Sequence, residues 1–406
     1  MPSQTLNDQT YAIALFFFYI LLHKIHSYLQ YYHTMSTYPE LNTSTRILMG
    51  PGPSDAHPRI LKAMATPLIG HLDPQFLKIM DEIKEMVGLT FQTKNPLTFV
   101  VSAPGSAGME TCLVNLLEPG DEALICINGV FGNRMADIVE RCGAKVLRVE
   151  APWGQPIDPA RVEEALANRK PKLVAIVHAE TSTGVHQPLE EISRLTHKAG
   201  ALFVVDAVTS WCGTQLKVDE WEIDAIYSGS QKCLSAPPGL SPVSFSERAV
   251  AALDKRKSKV QSWFLDLTQV RNYWAGSKRA YHHTGPVSAM FAMREALRMV
   301  LEEGLEDRFK RHRKNHELLR DGLEQLGFEF VVKPEYRLPM LNAVKLPPSL
   351  DDATHRAQLL NEFNIEVGGG LGDFAGKIWR IGLMGNSSSV NHVNVLLGAL
   401  NSILKS

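Results

Sequence analysis

The feature that most constrains the fold of this chain is a regular alternation of short apolar runs and amphipathic helical stretches after Pro51. The apolar runs include LTFVVS, EALICING, KLVAIVHAE and ALFVVDAV, and helical patterns such as GMETCLVNLL and PLEEISRLTHKAG separate them. This alternation is typical of βαβ units, which form a mainly parallel sheet. In such sheets ligands bind beyond the carboxyl ends of the strands. The pattern predicts an α/β fold and directs attention to the residues that end each strand.

The C-terminal part of the chain has a different pattern. A long helical stretch at 288–326 is interrupted by Gly304, which we expect to divide it into two helices. Strand-like runs follow (FEFVVK, NAVKLP, IEVGGG and IWRIGLMG), with a helical pattern at 351–363 among them. These elements predict a smaller α+β domain. The predicted organisation is an N-terminal appendage, a large domain and a small domain, at residues 1–44, 45–287 and 288–406.

Composition and charge exclude several classes of protein. The chain has 406 residues, of which 45% are hydrophobic, and a formal net charge of -1. A general nucleic-acid binder would carry a basic excess, and an acidic disordered protein would carry the opposite. The five cysteines are an odd number without CxxC spacing, which predicts reduced thiols rather than a disulfide framework or a metal site. We therefore expect a cytoplasmic protein that binds neither metal nor nucleic acid.

The N-terminal segment differs from the rest of the chain. Its apolar run, YAIALFFFYILL at Tyr11 to Leu22, is shorter than the roughly 20 residues that span a membrane. No basic residue precedes it, so it also fits a secretory signal poorly. We expect no stable membrane insertion. Because Met35 offers a second start, residues 1–34 are either a genuine appendage or the product of a start codon placed too early.

A cluster of small residues follows the first strand of the alternating region. Pro104, Gly105, Ser106, Ala107 and Gly108 lie between LTFVVS and the next helical pattern. Small residues let backbone N–H groups approach an anion, and the positive end of a helix adds to the attraction. The cluster is either a phosphate-binding turn or an ordinary connection between a strand and a helix.

Two further strand ends carry ionisable residues. Asp206 closes the strand ALFVVD, where it serves either as a helix N-cap or as the partner of a cationic ring nitrogen. Lys232 lies in YSGSQKCLSAPPG, among small residues and before a turn. A surface lysine is the common case, but an amine in a partly dry pocket loses proton affinity and becomes a nucleophile towards carbonyls. A phosphate turn, an acid and a lysine are together the set that pyridoxal phosphate requires.

Six motifs occur in a fixed order: GPGPS, LVNLLEPGD, ETSTGV, YSGSQKCLSAPPG, YHHTGPV and WRIGLMG. Together they resemble the alanine–glyoxylate and serine–pyruvate aminotransferases, which are class V, fold-type I pyridoxal phosphate enzymes. The resemblance covers about residues 46–400. It implies a large domain on a mainly parallel seven-stranded sheet and a smaller C-terminal α+β domain. It also implies ping-pong transfer of an amino group from alanine or serine to glyoxylate or pyruvate.

The resemblance implies a role around the cofactor ring for five residues. Lys232 matches the lysine that binds the cofactor's aldehyde covalently and then moves the substrate's α-proton. Asp206 matches the acid that keeps the pyridine nitrogen protonated. Phe131 matches an aromatic residue stacked on one face of the ring, where tryptophan is more familiar, and Val208 matches an apolar residue on the opposite face. Thr181 matches a hydroxyl near the phenolic oxygen.

The cofactor phosphate and the substrate have their own matching positions. The phosphate positions are Gly105, Ser106, Ala107 and Gln231 from one chain and Tyr281 and Thr284 from its neighbour. The last two imply a homodimer. Arg380 matches the arginine that binds the substrate carboxylate through two parallel hydrogen bonds. Gly52 suggests a small substrate side chain. Because Pro104 replaces a residue with a backbone donor, we expect phosphate contacts to begin at Gly105 or Ser106.

Two alternative functions remain. A cysteine desulfurase or other lyase of the same fold generally has a histidine before the lysine, a histidine over the ring and a mobile cysteine. Here Gln231 and Phe131 occupy the first two positions, and no cysteine lies near Arg380 in the sequence. Cys233 is interpreted as a packing residue, and His71 either faces the substrate entrance or is structural. A scaffold subunit without catalysis is the other alternative, and the full set of cofactor positions argues against it.

Overall fold

The computed structural model describes residues 5–35, 38–274 and 279–405, and the chain forms two compact units, Met1–Thr45 and Arg46–Ser406. Within the first unit, helix α1 spans Thr5–Met35. Its segment Tyr11–Tyr31 is exposed, and with 21 residues and a mean hydropathy of 1.5 it is long and apolar enough to cross a membrane. The helix is therefore longer than the apolar run Tyr11 to Leu22 on which the expectation about membranes was based. The absence of stable membrane insertion stays a prediction.

The second unit begins with an alternation of strands and helices, as the sequence predicts. In chain order these elements are β1 (Ile47–Leu48), α2 (Pro58–Met64), α3 (Pro74–Phe91), β2 (Leu97–Val101), α4 (Gly105–Leu116), β3 (Glu122–Ile127), α5 (Val130–Arg141), β4 (Lys145–Glu150), α6 (Pro159–Ala167), β5 (Leu173–Val177), β6 (Ala179–Glu180), β7 (Val185–His186), α7 (Glu190–Lys198), β8 (Leu202–Asp206), β9 (Ala225–Tyr227), β10 (Ser241–Phe245), α8 (Glu247–Asp254) and α9 (Leu267–Trp274). Asp158 caps α6, since its carboxylate accepts a hydrogen bond from the Ala160 N–H at 2.9 Å.

The remainder of the unit starts with two long helices and ends with an antiparallel sheet. Its elements are α10 (Val287–Glu303), α11 (Leu305–Gln325), β11 (Glu329–Phe330), β12 (Leu341–Lys345), α12 (Asp352–Glu362), β13 (Ile365–Glu366), β14 (Gly368–Gly369), β15 (Ile378–Gly382) and α13 (Val390–Lys405). Gly304 separates α10 from α11, which confirms the predicted break. Its φ of +81° lies in the region that glycine adopts more readily than other residues.

Seven strands form the central sheet in the order β2-β10-β9-β8-β5-β3-β4 within the described residues. Every neighbouring pair is parallel except the two that involve β10, which is antiparallel to β9 and β2. The mainly parallel α/β fold is therefore confirmed. Parallel pairing places β8 and β9 in register, with Asp206 opposite Tyr227 at their carboxyl ends.

The second sheet has the order β11-β12-β15-β14 in the part of the chain that the structure describes, and its pairs are antiparallel. One hydrophobic cluster surrounds the seven-stranded sheet, and another joins this smaller sheet to α11, α12 and α13. The unit Arg46–Ser406 is compact as a whole, so the predicted division at residues 287 and 288 stays a prediction.

Candidate active site

Three residues that are far apart in sequence meet at one site. Asp206 is the last residue of β8, Lys232 follows β9, and Arg380 lies in β15. Burial is the largest influence on the pKa of the Lys232 amine, and the positive charge of Arg380 and the negative charge of Asp206 also act on it. The three ionisable residues that the sequence singles out therefore belong to one electrostatic cluster.

The Lys232 side chain is held in a partly buried position. Burial and the nearby Arg380 guanidinium lower its pKa from 10.5 to about 8. Its Nζ donates a hydrogen bond to the Pro51 carbonyl oxygen. Ser54 fixes the backbone at residues 231 and 232. Its Oγ donates to the Lys232 carbonyl oxygen at 2.8 Å, and its N–H donates to the Gln231 carbonyl oxygen at 3.0 Å. A neutral, nucleophilic amine is thus accessible at mildly alkaline pH.

Gly52 lies directly against this amine. A Cβ at position 52 would be 2.7 Å from Lys232 Nζ and 2.8 Å from Lys232 Cδ, and the Gly52 φ of +108° disfavours any other residue. The missing side chain therefore makes room for the lysine. The sequence interpretation, in which Gly52 limits the size of the substrate, stays a prediction.

Asp206 is a buried carboxylate, with 3% of its surface exposed. It accepts hydrogen bonds from the Val208 N–H at 2.8 Å and from the Tyr227 hydroxyl at 2.9 Å. Burial raises its pKa from 3.8 to about 6, against the effect of these two bonds. Among the described residues, no ion pair involves Asp206. A protonated ring nitrogen placed here would supply the cation that this carboxylate lacks.

Sequence reasoning did not assign a role to Tyr227, Ser54 or Glu180. Tyr227 becomes a partner of Asp206 only because β9 pairs with β8 in the observed register. Knowledge of the strand order would have been enough to place Tyr227 beside Asp206. The contact of Ser54 with the backbone of residues 231 and 232 depends instead on the path of a long irregular segment.

The predicted phosphate turn forms the N-terminus of α4. Pro104 is its N-cap with an extended backbone, and the Ala107 N–H donates to the Pro104 carbonyl oxygen at 2.8 Å. The N–H groups of Gly105 and Ser106 are at the first positions of the helix, where no carbonyl of the helix can accept from them. Gly105 also packs closely against the loop that follows β8, since a Cβ at position 105 would be 3.2 Å from Val208 Cγ2.

Two polar side chains at this turn support an anion site. The Gln231 Oε1 atom is buried and has no hydrogen-bond partner among the described residues. Because the two ends of an amide exchange places by rotation, this group can donate to an oxygen-rich anion. Arg134 donates from Nη1 to Ser106 Oγ at 3.2 Å, so a cation lies beside the turn. The sequence interpretation did not include this arginine.

Phe131 lies in the first turn of α5 and is partly buried. The Arg134 guanidinium lies over its ring at 4.9 Å from the centroid. The Phe131 N–H donates to Glu180 Oε2 at 3.2 Å. The backbone that carries the aromatic ring is therefore bonded to Glu180, the last residue of β6.

Arg380 and Thr181 are in contact. The Arg380 side chain donates from Nη1 to the Thr181 carbonyl oxygen at 3.4 Å and from Nε to the Gly369 carbonyl oxygen at 2.8 Å. Arg380 is 7% exposed, and its burial lowers the pKa of the guanidinium, while the Glu180 carboxylate acts in the opposite direction. A buried guanidinium held at two points is suited to binding a carboxylate.

Tyr281 and Thr284 lie on the surface of the single chain, and 63% of Tyr281 is exposed. The ring of Tyr281 is 5.6 Å from that of His71, whose Nε2 is buried without a partner among the described residues.

Cys233 is fully buried, its Sγ donates to the Thr209 carbonyl oxygen, and burial raises the pKa of the thiol to about 12. Such a thiol is not nucleophilic at neutral pH, in agreement with a packing role.

Comparison with known proteins decides the family. The family model for class-V aminotransferases matches residues 60–374. The alanine–glyoxylate aminotransferase of Rattus norvegicus is 42% identical over 368 residues, which are 90% of this chain and 89% of the relative. This chain belongs to the class-V aminotransferases.

Further relatives agree with this assignment. The (S)-ureidoglycine–glyoxylate transaminase of Bacillus subtilis is 39% identical to this aminotransferase, over 91% of this chain and 93% of the relative. The crystal structure of an alanine–glyoxylate aminotransferase from Nostoc sp. superposes with a TM-score of 0.89 at 46% identity, and the match covers 90% of this chain and 97% of that one. The resemblance inferred from the ordered motifs is therefore confirmed.

The cofactor of this aminotransferase is pyridoxal phosphate, as its family implies. The residues present fit that group, because an anion site, a buried carboxylate without a cation and a lysine of lowered pKa lie in one cluster. The cysteine desulfurase alternative is more distant. A desulfurase structure from Thermococcus onnurineus has 16% identity and a TM-score of 0.70, a likeness that shows the fold alone.

Proposed function

We propose that this aminotransferase moves the amino group of a small L-amino acid, alanine or serine, to a small 2-oxo acid, glyoxylate or pyruvate. The two relatives described above are named for different amino donors but share glyoxylate in their names. Glyoxylate is therefore the acceptor that we expect to be used best. The observation that carries the proposal is the partly buried Lys232 amine, which donates to the Pro51 carbonyl oxygen and lies in one cluster with Asp206 and Arg380.

In this proposal each part of the cluster holds one part of the reactants. Lys232 would hold the aldehyde carbon of the cofactor through Nζ, and Asp206 would pair with its pyridine nitrogen. Phe131 and Val208 would hold the ring, and Thr181 would serve its phenolic oxygen. The phosphate is held by the first turn of α4 and by the amide of Gln231. The bound cofactor supplies an electron sink that stabilises negative charge at the substrate's α-carbon.

The protein residues then orient the amino acid and move its proton. The guanidinium of Arg380 binds the substrate carboxylate through parallel hydrogen bonds and so fixes the direction of the α-carbon. In the substrate complex, Lys232 Nζ would accept the α-proton as a general base and return it as a general acid. Burial and the charge of Arg380 lower the pKa of Nζ, which favours the neutral form that acts as a base.

We further propose a cytoplasmic homodimer in which Tyr281 and Thr284 complete the neighbouring phosphate site. The exposure of both residues on the single chain supports this arrangement. The five cysteines are free and buried, which suits a reducing compartment. Sedimentation equilibrium and the variant Thr284→Ala test the proposal: a dimer with weakened cofactor binding supports it, and a fully active monomer overturns it.

Absorbance and kinetics test the reaction. The purified protein should be yellow, should bleach with L-alanine or L-serine and should recover its colour with glyoxylate. Values of kcat/KM for alanine, serine, glycine and ureidoglycine with glyoxylate, pyruvate and 2-oxoglutarate then assign the substrate pair. The pairs alanine–pyruvate and glycine–glyoxylate are left out, since their products are identical to their substrates. Parallel lines in double-reciprocal plots are expected for a ping-pong mechanism. A colourless protein that turns over no pair would favour the scaffold alternative and overturn the proposal.

A further inference from the structure

Glu180 is a buried acid to which the proposed reaction gives no role. It ends β6, is 0% exposed and lies at the start of the turn that leads to β7. Burial raises its pKa from 4.5 to about 7, with a further increase from the charge of Asp206, although hydrogen bonds from Ser182 and Phe131 oppose the change. A carboxylate that is costly to bury at this site calls for an explanation from its contacts.

These contacts show that Glu180 and Ser182 cap α5. The N-cap residue Gly129 makes no side-chain hydrogen bond to the helix. Instead, Ser182 Oγ accepts from the Val130 N–H at 3.0 Å, and Glu180 Oε2 accepts from the Phe131 N–H at 3.2 Å. The two caps are joined, since Ser182 Oγ donates to Glu180 Oε1 at 2.6 Å. A carboxylate at the positive end of a helix is stabilising, and here it comes from a distant segment.

Close packing makes the arrangement specific. A Cβ on Gly129 would overlap the side chains of Glu180 and Ser182, so only glycine allows the turn after β6 to reach the helix. The residue between the two caps, Thr181, accepts a hydrogen bond from Arg380. One turn therefore contacts the first turn of α5, which carries Phe131, and the guanidinium proposed to bind substrate.

We propose that Glu180 is a positioning residue that fixes the ring of Phe131 at the cofactor by capping α5 from the turn after β6. The inference rests on the proposed function, in which Phe131 stacks on the cofactor ring. Without the carboxylate, the partly buried Phe131 N–H loses its charged acceptor, and the first turn of α5 is free to rotate together with the aromatic ring that it carries. The expected consequence is a change in how the cofactor is held, not only a loss of stability.

The main variant is Glu180→Gln, which preserves size but removes the charge and one acceptor oxygen. Asp224 provides a matched control elsewhere in the fold. It is 2% exposed, its carboxylate accepts from the Phe203 N–H at 2.9 Å and from Ser246 Oγ at 2.7 Å, and it has no part in the proposed site. Asp224→Asn thus removes a buried carboxylate that, like Glu180, accepts from a backbone N–H and a serine hydroxyl. It also breaks an ion pair with Arg248 Nη1 at 2.9 Å, so its effect on Tm should be at least as large as that of Glu180→Gln.

The experiment measures visible circular dichroism of the bound cofactor, kcat, KM and Tm for each holoenzyme. Glu180→Gln should reduce the dichroic band by about half and kcat by about tenfold, with KM for the amino donor within about threefold. Asp224→Asn should lower Tm while it leaves the dichroic band and kcat within about twofold of the wild type. If Glu180→Gln also lowers only Tm, the proposal is wrong.

A double-mutant cycle separates action through Phe131 from a direct effect. If Glu180 acts through Phe131, adding Glu180→Gln to Phe131→Ala should change kcat by less than about twofold. Independent, multiplicative losses would overturn the proposal. If Glu180→Gln does not fold, Ser182→Ala removes the linked cap and should alter the dichroic band in the same direction. A wild-type enzyme without transaminase activity would refute the proposed function, whereas an active wild type with an unchanged dichroic band in these variants would refute this inference alone.

Discussion

Replacing Asp206 with asparagine should stabilise the cofactor-free protein at alkaline pH and inactivate the enzyme. The carboxylate is 3% exposed, and its hydrogen bonds come from the neutral Val208 N–H and Tyr227 hydroxyl. Its pKa is raised in the folded state from 3.8 to about 6, chiefly by burial. A raised pKa contributes stability that is complete below the ordinary value and is lost as the pH rises through the folded value. Above both values the ionised form of Asp206 costs about 3 kcal/mol of folding free energy.

Asparagine avoids this cost because it does not ionise. It keeps an acceptor for the Val208 N–H, and the Tyr227 hydroxyl is able to accept from the new amide. The free energy of unfolding of Asp206→Asn, taken relative to that of the wild type, should therefore increase by about 1 to 2 kcal/mol when the pH is raised from 5 to 8. The same variant should lose most of its kcat, because the ring nitrogen has no anion beside it.

Urea unfolding of both proteins without cofactor, followed by tryptophan fluorescence at the two pH values, measures this difference. Asp137→Asn is a control, since Asp137 forms an exposed ion pair with Arg141 and should change stability by less than about 0.5 kcal/mol at either pH. A difference between Asp206→Asn and the wild type that does not depend on pH would refute the reasoning.

Three further changes have defined outcomes. Arg380→Lys should raise KM for both substrates by about tenfold or more, because an ammonium group cannot form the parallel pair of hydrogen bonds; unchanged steady-state KM values would contradict this role. Gly52→Ala should lower kcat/KM by about tenfold or more, since its Cβ would be 2.7 Å from Lys232 Nζ, and a fully active variant would show that the lysine moves without cost. A chain that begins at Met35 should retain kcat/KM within about twofold, because every proposed site residue lies in Arg46–Ser406, and a large loss would assign a role to α1.

The fold and the centre of the site were predictable for a common physical reason. Apolar runs and helical patterns alternate over enough sequence to specify parallel pairing, and strand ends then identify Asp206 and Lys232 without knowledge of the strand order. Arg380 required the family resemblance, because its sequence setting predicts a buried strand but not which strand lies opposite.

The remaining contacts depend on tertiary arrangement. Tyr227 reaches Asp206 through the register of β8 and β9, and Glu180 reaches Phe131 because Gly129 leaves space between two segments. Neither distance is encoded in the local sequence. Similarly, α1 continues past the apolar run at its centre through polar residues such as His23 and Lys24, so the ends of that run do not indicate the ends of the helix.

The most direct measurement is the position of the covalent link. The holoenzyme is reduced with borohydride, digested and analysed by mass spectrometry, with Lys232→Ala treated in parallel. We predict a pyridoxyl phosphate adduct on Lys232 and none on the variant, together with loss of turnover. An adduct on a different lysine, or full activity in Lys232→Ala, would contradict it.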